Sequence, residues 1–157
     1  MWWGIAIALL CMGMAAWPIM QLIPSERQKQ IIALRQVASH LGFKVEIKPA
    51  ELPDALAKQY PLQGCALYVL QQKQSRLPHT PLLALRSRRD DTWFWLDKNP
   101  PAALIEPLQL AYQALPENIV ALQHQSHGTG VYFDERGDQQ FLESLKQQLT
   151  KINTIAK

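Results

Sequence analysis

Two histidines, His124 and His127, lie three residues apart in the stretch HQSH. A pair with this spacing can ligate a metal ion when a third ligand comes from elsewhere in the chain. The stretch lacks the glutamate of the zinc-protease pattern HExxH, and its neighbours indicate the turn of a β-hairpin. We therefore expect solvated turn histidines and no bound metal ion.

Cys65 is a candidate nucleophile, with His79 or His124 as its base, since such partners need only be close in space. However, it opens the apolar run CALYVLQQ, and no basic residue or helix amino terminus adjoins it in the sequence to activate its thiol. The chain has no G-x-S-x-G, no phosphate-binding glycine loop and no CxxC motif. We expect a buried structural cysteine, no catalytic residue and no cofactor.

Arginines and tryptophans cluster in the stretch RSRRDDTWFWLD. If the tryptophans share an exposed face, nucleic-acid bases can stack on them, or the arginines can meet anionic lipid headgroups. We favour a third interpretation, in which one hairpin face is core and the arginine stems cover the indoles. The net charge of +3 is too small to indicate nucleic acid. The candidate interaction surface consists of Arg86, Arg88, Arg89, Trp93 and Trp95.

Three charged residues, Asp134, Glu135 and Arg136, follow one another in the stretch YFDERG. Paired carboxylates can perform acid–base chemistry. Adjacent residues of a strand, however, point to opposite sides of the sheet. We therefore expect a charged turn in water at the end of a strand.

The elements that must position these side chains alternate between strands and helices. Period-2 alternation or continuous apolar runs predict strands, and apolar residues three and four apart predict helices. The predicted class is α+β, with five or six strands and about three helices in residues 43–157. The strands are Phe43–Ile47, a run from Cys65, Leu82–Ser87, Trp93–Leu96, Ile119–Gln123 and Val131–Asp134; the helices are a short one in PDALAKQY, Glu106–Leu115 and one capped by Asp138.

The amino-terminal region is apolar and uncharged. No charged side chain precedes Glu26, and residues 2–23 contain a single polar side chain, Gln21. A helix of this length can span the roughly 30 Å hydrocarbon layer of a membrane. Cleavage of a signal peptide and lipidation of Cys11 fit the flanking residues poorly. We predict a transmembrane anchor in residues 1–24, which spans the lipid bilayer with about residues 4–23, and an amphipathic juxtamembrane helix in residues 25–42.

The flanking charges predict the orientation of this anchor. No lysine or arginine precedes the span, whereas Arg27, Lys29 and Arg35 follow it closely. The positive-inside rule then places the amino terminus in the periplasm and the carboxy-terminal domain in the cytoplasm. The expected location is the inner membrane of a bacterium, with a single pass.

Several stretches together resemble a known group of proteins: PSERQKQIIALRQVASHLGFKVEI, the Trp-x-Trp strand, ALPENIVALQ and GVYFDERG. The chain is similar over most of its length to small single-pass proteins of gammaproteobacteria, some of which carry the label preprotein translocase subunit YajC. YajC itself is similar only over the anchor and the helix that follows it. The resemblance implies an inner-membrane protein and brings no catalytic residue.

The expected function is therefore a membrane-anchored interaction or accessory protein that acts through a membrane-protein partner. Two alternatives remain open. One is an accessory subunit of the Sec translocase, in the manner of YajC. The other is a membrane-tethered enzyme that uses Cys65 or the pair His124 and His127.

Overall fold

The chain divides into two compact units, residues 1–33 and residues 34–157. The boundary falls inside α1 (Glu26–His40), the first helix whose bounds lie within the described residues, so the last turns of that helix belong to the second unit. The computed structural model describes residues 3, 25–47, 52–60, 62, 64–72, 81–87, 89–96 and 98–156.

The predicted transmembrane helix is not part of the described fold. No helix in the described part of the chain is long and apolar enough to cross a membrane. The longest, α4 (Gln139–Ile155), has 17 residues and carries charged side chains such as Glu143 and Lys146. Residues 4–24, on which the prediction rests, lie outside the described residues. The fold class is corrected to an α+β fold that has, within the described ranges, six strands and four helices.

The six strands form one antiparallel sheet in the order β1-β2-β6-β5-β3-β4. The edge strands are therefore β1 and β4, which have only four residues each. The β3–β4 and β5–β6 hairpins predicted from the sequence are confirmed. The strands are β1 (Phe43–Glu46), β2 (Ala66–Gln71), β3 (Leu82–Arg86), β4 (Trp93–Leu96), β5 (Ile119–Gln125) and β6 (Gly128–Phe133).

Two further helices are α2 (Asp54–Gln59) and α3 (Ala102–Gln113). Helix α1 begins with a capping box, in which Gln28 N–H donates to Ser25 Oγ and Ser25 N–H donates to Gln28 Oε1. Helix α4 begins at the predicted cap, because Asp138 Oδ1 accepts from the N–H of Phe141 at 2.8 Å.

Alternation along each strand divides the core between the two faces of the sheet. One face packs against α3, α4 and the last turns of α1. The sequence predicts an apolar stripe of Phe141, Leu142, Leu145, Leu149 and Ile152 on α4, and all of these except the half-buried Phe141 are fully buried there. The other face carries a smaller cluster around Tyr60 and Leu62, which follow α2 in the chain. Both faces of the central strands are thus covered.

The β5–β6 turn lies nearer the amino terminus than the sequence predicted. The turn is Ser126 and His127, and the stretch GTG is already part of β6. Gly128 has a φ of +153°, and a Cβ atom there would come within 2.2 Å of the Leu70 carbonyl oxygen. This glycine permits close approach of two strands, and it does not form the turn.

Candidate functional site

One buried carboxylate joins α1 to the end of β6. Glu135 Oε1 and Oε2 accept from Arg35 Nε and Nη2 at 2.6 and 2.8 Å, and the hydroxyl of Tyr68 donates to Oε1 at 2.8 Å. The Glu135 side chain is 3% exposed and that of Arg35 is 31% exposed. The hydrogen bonds to Glu135 raise the pKa of Arg35, whereas burial, followed by Glu135, raises the pKa of Tyr68. We call Arg35 and Glu135 the Glu135 pair.

A second pair joins the β3–β4 turn to the end of α3. Arg86 Nε and Nη2 donate to the two carboxylate oxygens of Asp91 at 2.5 and 2.9 Å, and Nη1 donates to the Pro116 carbonyl at 2.7 Å. The guanidinium carbon lies 5.7 Å from the ring centre of Trp93, within reach of a cation–π interaction. Hydrogen bonds from Arg86 lower the pKa of Asp91. We call Arg86 and Asp91 the Asp91 pair.

His124 belongs to a buried network of uncharged groups. One ring nitrogen is hydrogen bonded to the hydroxyl of Tyr112 at 2.5 Å and the other to the hydroxyl of Thr129 at 2.8 Å. The imidazole also lies against the ring of Trp95. Burial lowers the pKa of His124 to about 4, so the imidazole is neutral at neutral pH. Both ring nitrogens of His124 are hydrogen bonded within the core, so this residue has a structural role.

Each edge of the sheet adjoins a cleft. The β1 cleft, of about 470 Å³, lies where α1 adjoins β1 and the end of β2, and its lining consists of Arg35, Ser39, Gly42, Phe43, Lys44, Val45 and Gln71. The β4 cleft, of about 350 Å³, lies between the β3–β4 turn and α3. Its lining consists of Asp90, Asp91, Thr92, Trp93, Gln109 and Gln113.

The residues of the predicted interaction surface do not share one exposed face. Arg86 and Trp93 are each 7% exposed, and Trp95 is half-buried against Tyr112 and His124. Both tryptophans lie on the helix-covered face of the hairpin because they are two residues apart in β4. Arg89 is exposed. Arg88 lies outside the described residues.

The candidate catalytic residues are dispersed. Cys65 is half-buried and packs against the smaller apolar cluster, and His127 is exposed in the β5–β6 turn. The expectation of a solvated His124 is wrong, because this residue is 1% exposed inside β5. His79 lies outside the described residues. Within the described ranges, no group of three or more His, Cys, Asp or Glu side chains is placed to hold a metal ion.

Sequence reasoning missed the Glu135 pair. Glu135 was expected to be a solvated charge, whereas the structure buries it at the end of β6 with a positive φ of 56°. Its partner Arg35 is 100 residues away in the sequence. No local pattern links the two residues. Tyr68 lies in the same buried cluster as Leu34 and Ala38 of α1, but the continuous apolar run of β2 does not indicate which face of the sheet it occupies.

Comparisons with protein-family models, with curated proteins and with solved structures found no match.

Proposed function

We propose that residues 34–157 form a protein-interaction domain that binds an extended segment of a partner protein along β1. The observation that carries this proposal is the position of β1: it is an edge strand beside a cleft of about 470 Å³. Within the described residues, no strand pairs with its outer edge. An edge strand can accept an added strand through the backbone N–H and C=O groups on its outer side.

The cleft supplies the side-chain contacts that strand addition alone lacks. A segment added to β1 would alternate its side chains between the two faces of the sheet, so every second one would enter the cleft toward Ser39 and Arg35. Gly42, the half-buried Val45 and Gln71 of β2 also line the cleft. Backbone pairing would therefore give affinity, and the cleft would give specificity.

The charges of the cleft favour a partner segment with acidic side chains. Arg35 keeps about a third of its side chain exposed while Glu135 fixes its guanidinium, whereas the ammonium group of Lys44 is already paired with Glu46 at 2.8 Å. A guanidinium fixed by a buried carboxylate needs little reordering when a second acidic group approaches. Strand β1 has only four residues and carries a lysine, and both features limit unspecific pairing with strands of other proteins.

The enzyme alternative receives less support from the described geometry. His124 is buried with both nitrogens hydrogen bonded, whereas His127 is exposed in the turn, so the two histidines do not act on one substrate. The translocase alternative names the Sec channel as the partner, and the identity of a bound protein would test it. The predicted inner-membrane location and orientation remain predictions.

Site-specific photocrosslinking tests the proposal in cells that express the full chain. A benzoylphenylalanine at Lys44 should give a discrete adduct, and the same residue at the exposed Glu143 of α4 should not. The adduct should weaken when Ser39→Phe fills the cleft from the side of α1. Equal adducts from both positions, or an adduct that Ser39→Phe leaves unchanged, would contradict the proposal. Mass spectrometry of the adduct would then identify the partner, and a Sec channel component would support the translocase alternative.

A further inference from the structure

We propose that the β4 cleft binds a peptide segment that carries an arginine side chain. This site is separate from β1, at the opposite edge of the same sheet, and it does not depend on the function proposed above. Three features of its lining point to such a ligand: a buried indole N–H without a partner, an ionised carboxylate, and two exposed amides on one face of α3.

The indole N–H of Trp93 is a buried hydrogen-bond donor that lacks an acceptor in the described part of the chain. The residue is 7% exposed and lines the cleft, and its Nε1–H has no hydrogen-bond partner in the part of the chain that the structure describes. The ring centre lies 5.4 Å from that of Tyr112 and 5.7 Å from the guanidinium carbon of Arg86. Since buried indole N–H groups in proteins are normally paired, a peptide carbonyl in the cleft would satisfy this one.

The carboxylate that faces a cationic ligand is that of Asp90. Hydrogen bonds from Ser87 and Thr92 lower the pKa of Asp90, so its carboxylate is ionised at neutral pH. Both oxygens of the neighbouring Asp91 already accept from Arg86, whereas Asp90 has no ion pair with a described residue. A planar guanidinium matches a carboxylate with two parallel hydrogen bonds, which is why arginine fits better than lysine.

Two glutamines on α3 complete the site. Gln109 and Gln113 are four residues apart, so their amides lie on the same face of the helix, and both are exposed. Each amide can donate to a peptide carbonyl and accept from a peptide N–H. A cleft of about 350 Å³ is at the small end of ligand sites, which suits one long side chain and its adjoining peptide units.

The test is a titration of the ¹⁵N-labelled full chain with Nα-acetyl-arginine N-methylamide. The indole cross-peak of Trp93, assigned by its loss in Trp93→Phe, should shift and saturate. The citrulline analogue has the same shape without the charge, and it should bind about fivefold more weakly, as expected for an exposed ion pair. Asp90→Asn should weaken binding of the arginine compound by a similar factor.

Glu143→Gln is the matched control, because it removes an exposed carboxylate on α4 and should leave binding unchanged. The fingerprint of backbone amides would show whether each variant keeps its fold. The proposal is overturned if the Trp93 cross-peak shows no saturable shift. It is equally overturned if the citrulline compound or the Asp90→Asn variant binds as well as the original pair.

Discussion

In both the Glu135 pair and the Asp91 pair, two nitrogens of the guanidinium donate to the two carboxylate oxygens. The two pairs differ in which partner is buried. In the Glu135 pair the side chain of Glu135 is 3% exposed and that of Arg35 is 31% exposed. In the Asp91 pair the side chain of Arg86 is 8% exposed and that of Asp91 is 70% exposed. Both carboxylates belong to residues with a positive φ, of 56° and 57°. One backbone conformation and one type of contact therefore serve two different environments.

This inversion gives the two clefts opposite chemistry. Arg35 is the more exposed member of its pair, and it lines the β1 cleft. Asp91 is the more exposed member of the other pair, and it lines the β4 cleft beside Asp90. In both pairs the buried member anchors the exposed one to the core. The same device thus presents a fixed cation at one edge of the sheet and a fixed carboxylate at the other.

The largest expected effect is the loss of the buried carboxylate. Glu135→Ala leaves the guanidinium of Arg35 unpaired and the buried hydroxyl of Tyr68 without its acceptor, and it should lower the free energy of unfolding by about 3 kcal/mol. Asp91→Ala should cost clearly less, because the carboxylate that it removes is 70% exposed, so that water can take its place, and Arg86 keeps its hydrogen bond to the Pro116 carbonyl. Urea unfolding of both variants measures the difference, with the exposed Asp134→Ala as the control. Equal losses from Glu135→Ala and Asp91→Ala would contradict the comparison.

His124 extends the comparison to a buried polar group that carries no charge. Because its pKa is about 4 in the folded chain and about 6.5 when unfolded, the unfolded chain binds more protons between these values. Stability from the neutral imidazole is therefore complete above pH 6.5 and falls as the pH is lowered, by roughly 3 kcal/mol at pH 4.

Unfolding by urea across pH 7 to 4 measures this loss, and His124→Gln provides the reference that does not titrate. The variant should be less stable at pH 7 and should lose less stability on acidification. A wild-type chain that shows the same pH dependence as His124→Gln would argue against a neutral buried imidazole.

Local patterns predicted much of the fold. The apolar stripe of α4, its cap at Asp138, the alternation in β1 and the continuous apolar run of β2 all arise from neighbouring residues, and the structure has the helix and both strands. The error at His124 came from ending the first strand at Gln123 and placing the turn at HGTG. With the turn at Ser126 and His127, the alternation of β5 puts His124 on the same face as Leu122, toward the helices.

Long-range polar contacts could not be predicted. Whether Glu135 lies in water or in the core depends on Arg35 and Tyr68, which come from α1 and β2. The clefts likewise depend on the strand order, which places β1 and β4 at the two edges. The Trp93 and Trp95 alternation correctly indicated one buried hairpin face, but the identity of the covering helix was not contained in the local pattern.

A smaller effect is expected when arginine is replaced by lysine in each pair. Arg86→Lys removes the planar guanidinium, which donates to Asp91 and to the Pro116 carbonyl at the same time. This substitution should lower the free energy of unfolding by about 2 kcal/mol. Arg35→Lys keeps one ion pair to Glu135 in a partly exposed position and should cost less than about 1 kcal/mol. Parallel urea unfolding curves test this order. The reverse order would mean that burial of the arginine does not decide its contribution.

The smallest effect isolates the backbone conformation that the pairs share. A residue with φ near +57° and a Cβ atom is strained, and glycine lacks this strain. Glu135→Gly should therefore be more stable than Glu135→Ala, by about 1 kcal/mol. Asp91→Gly should differ from Asp91→Ala in the same direction, and thermal unfolding would record both differences as a higher Tm. If glycine gave no advantage over alanine at either position, the positive φ would not be a shared source of strain, and the two pairs would differ from their surroundings only through burial.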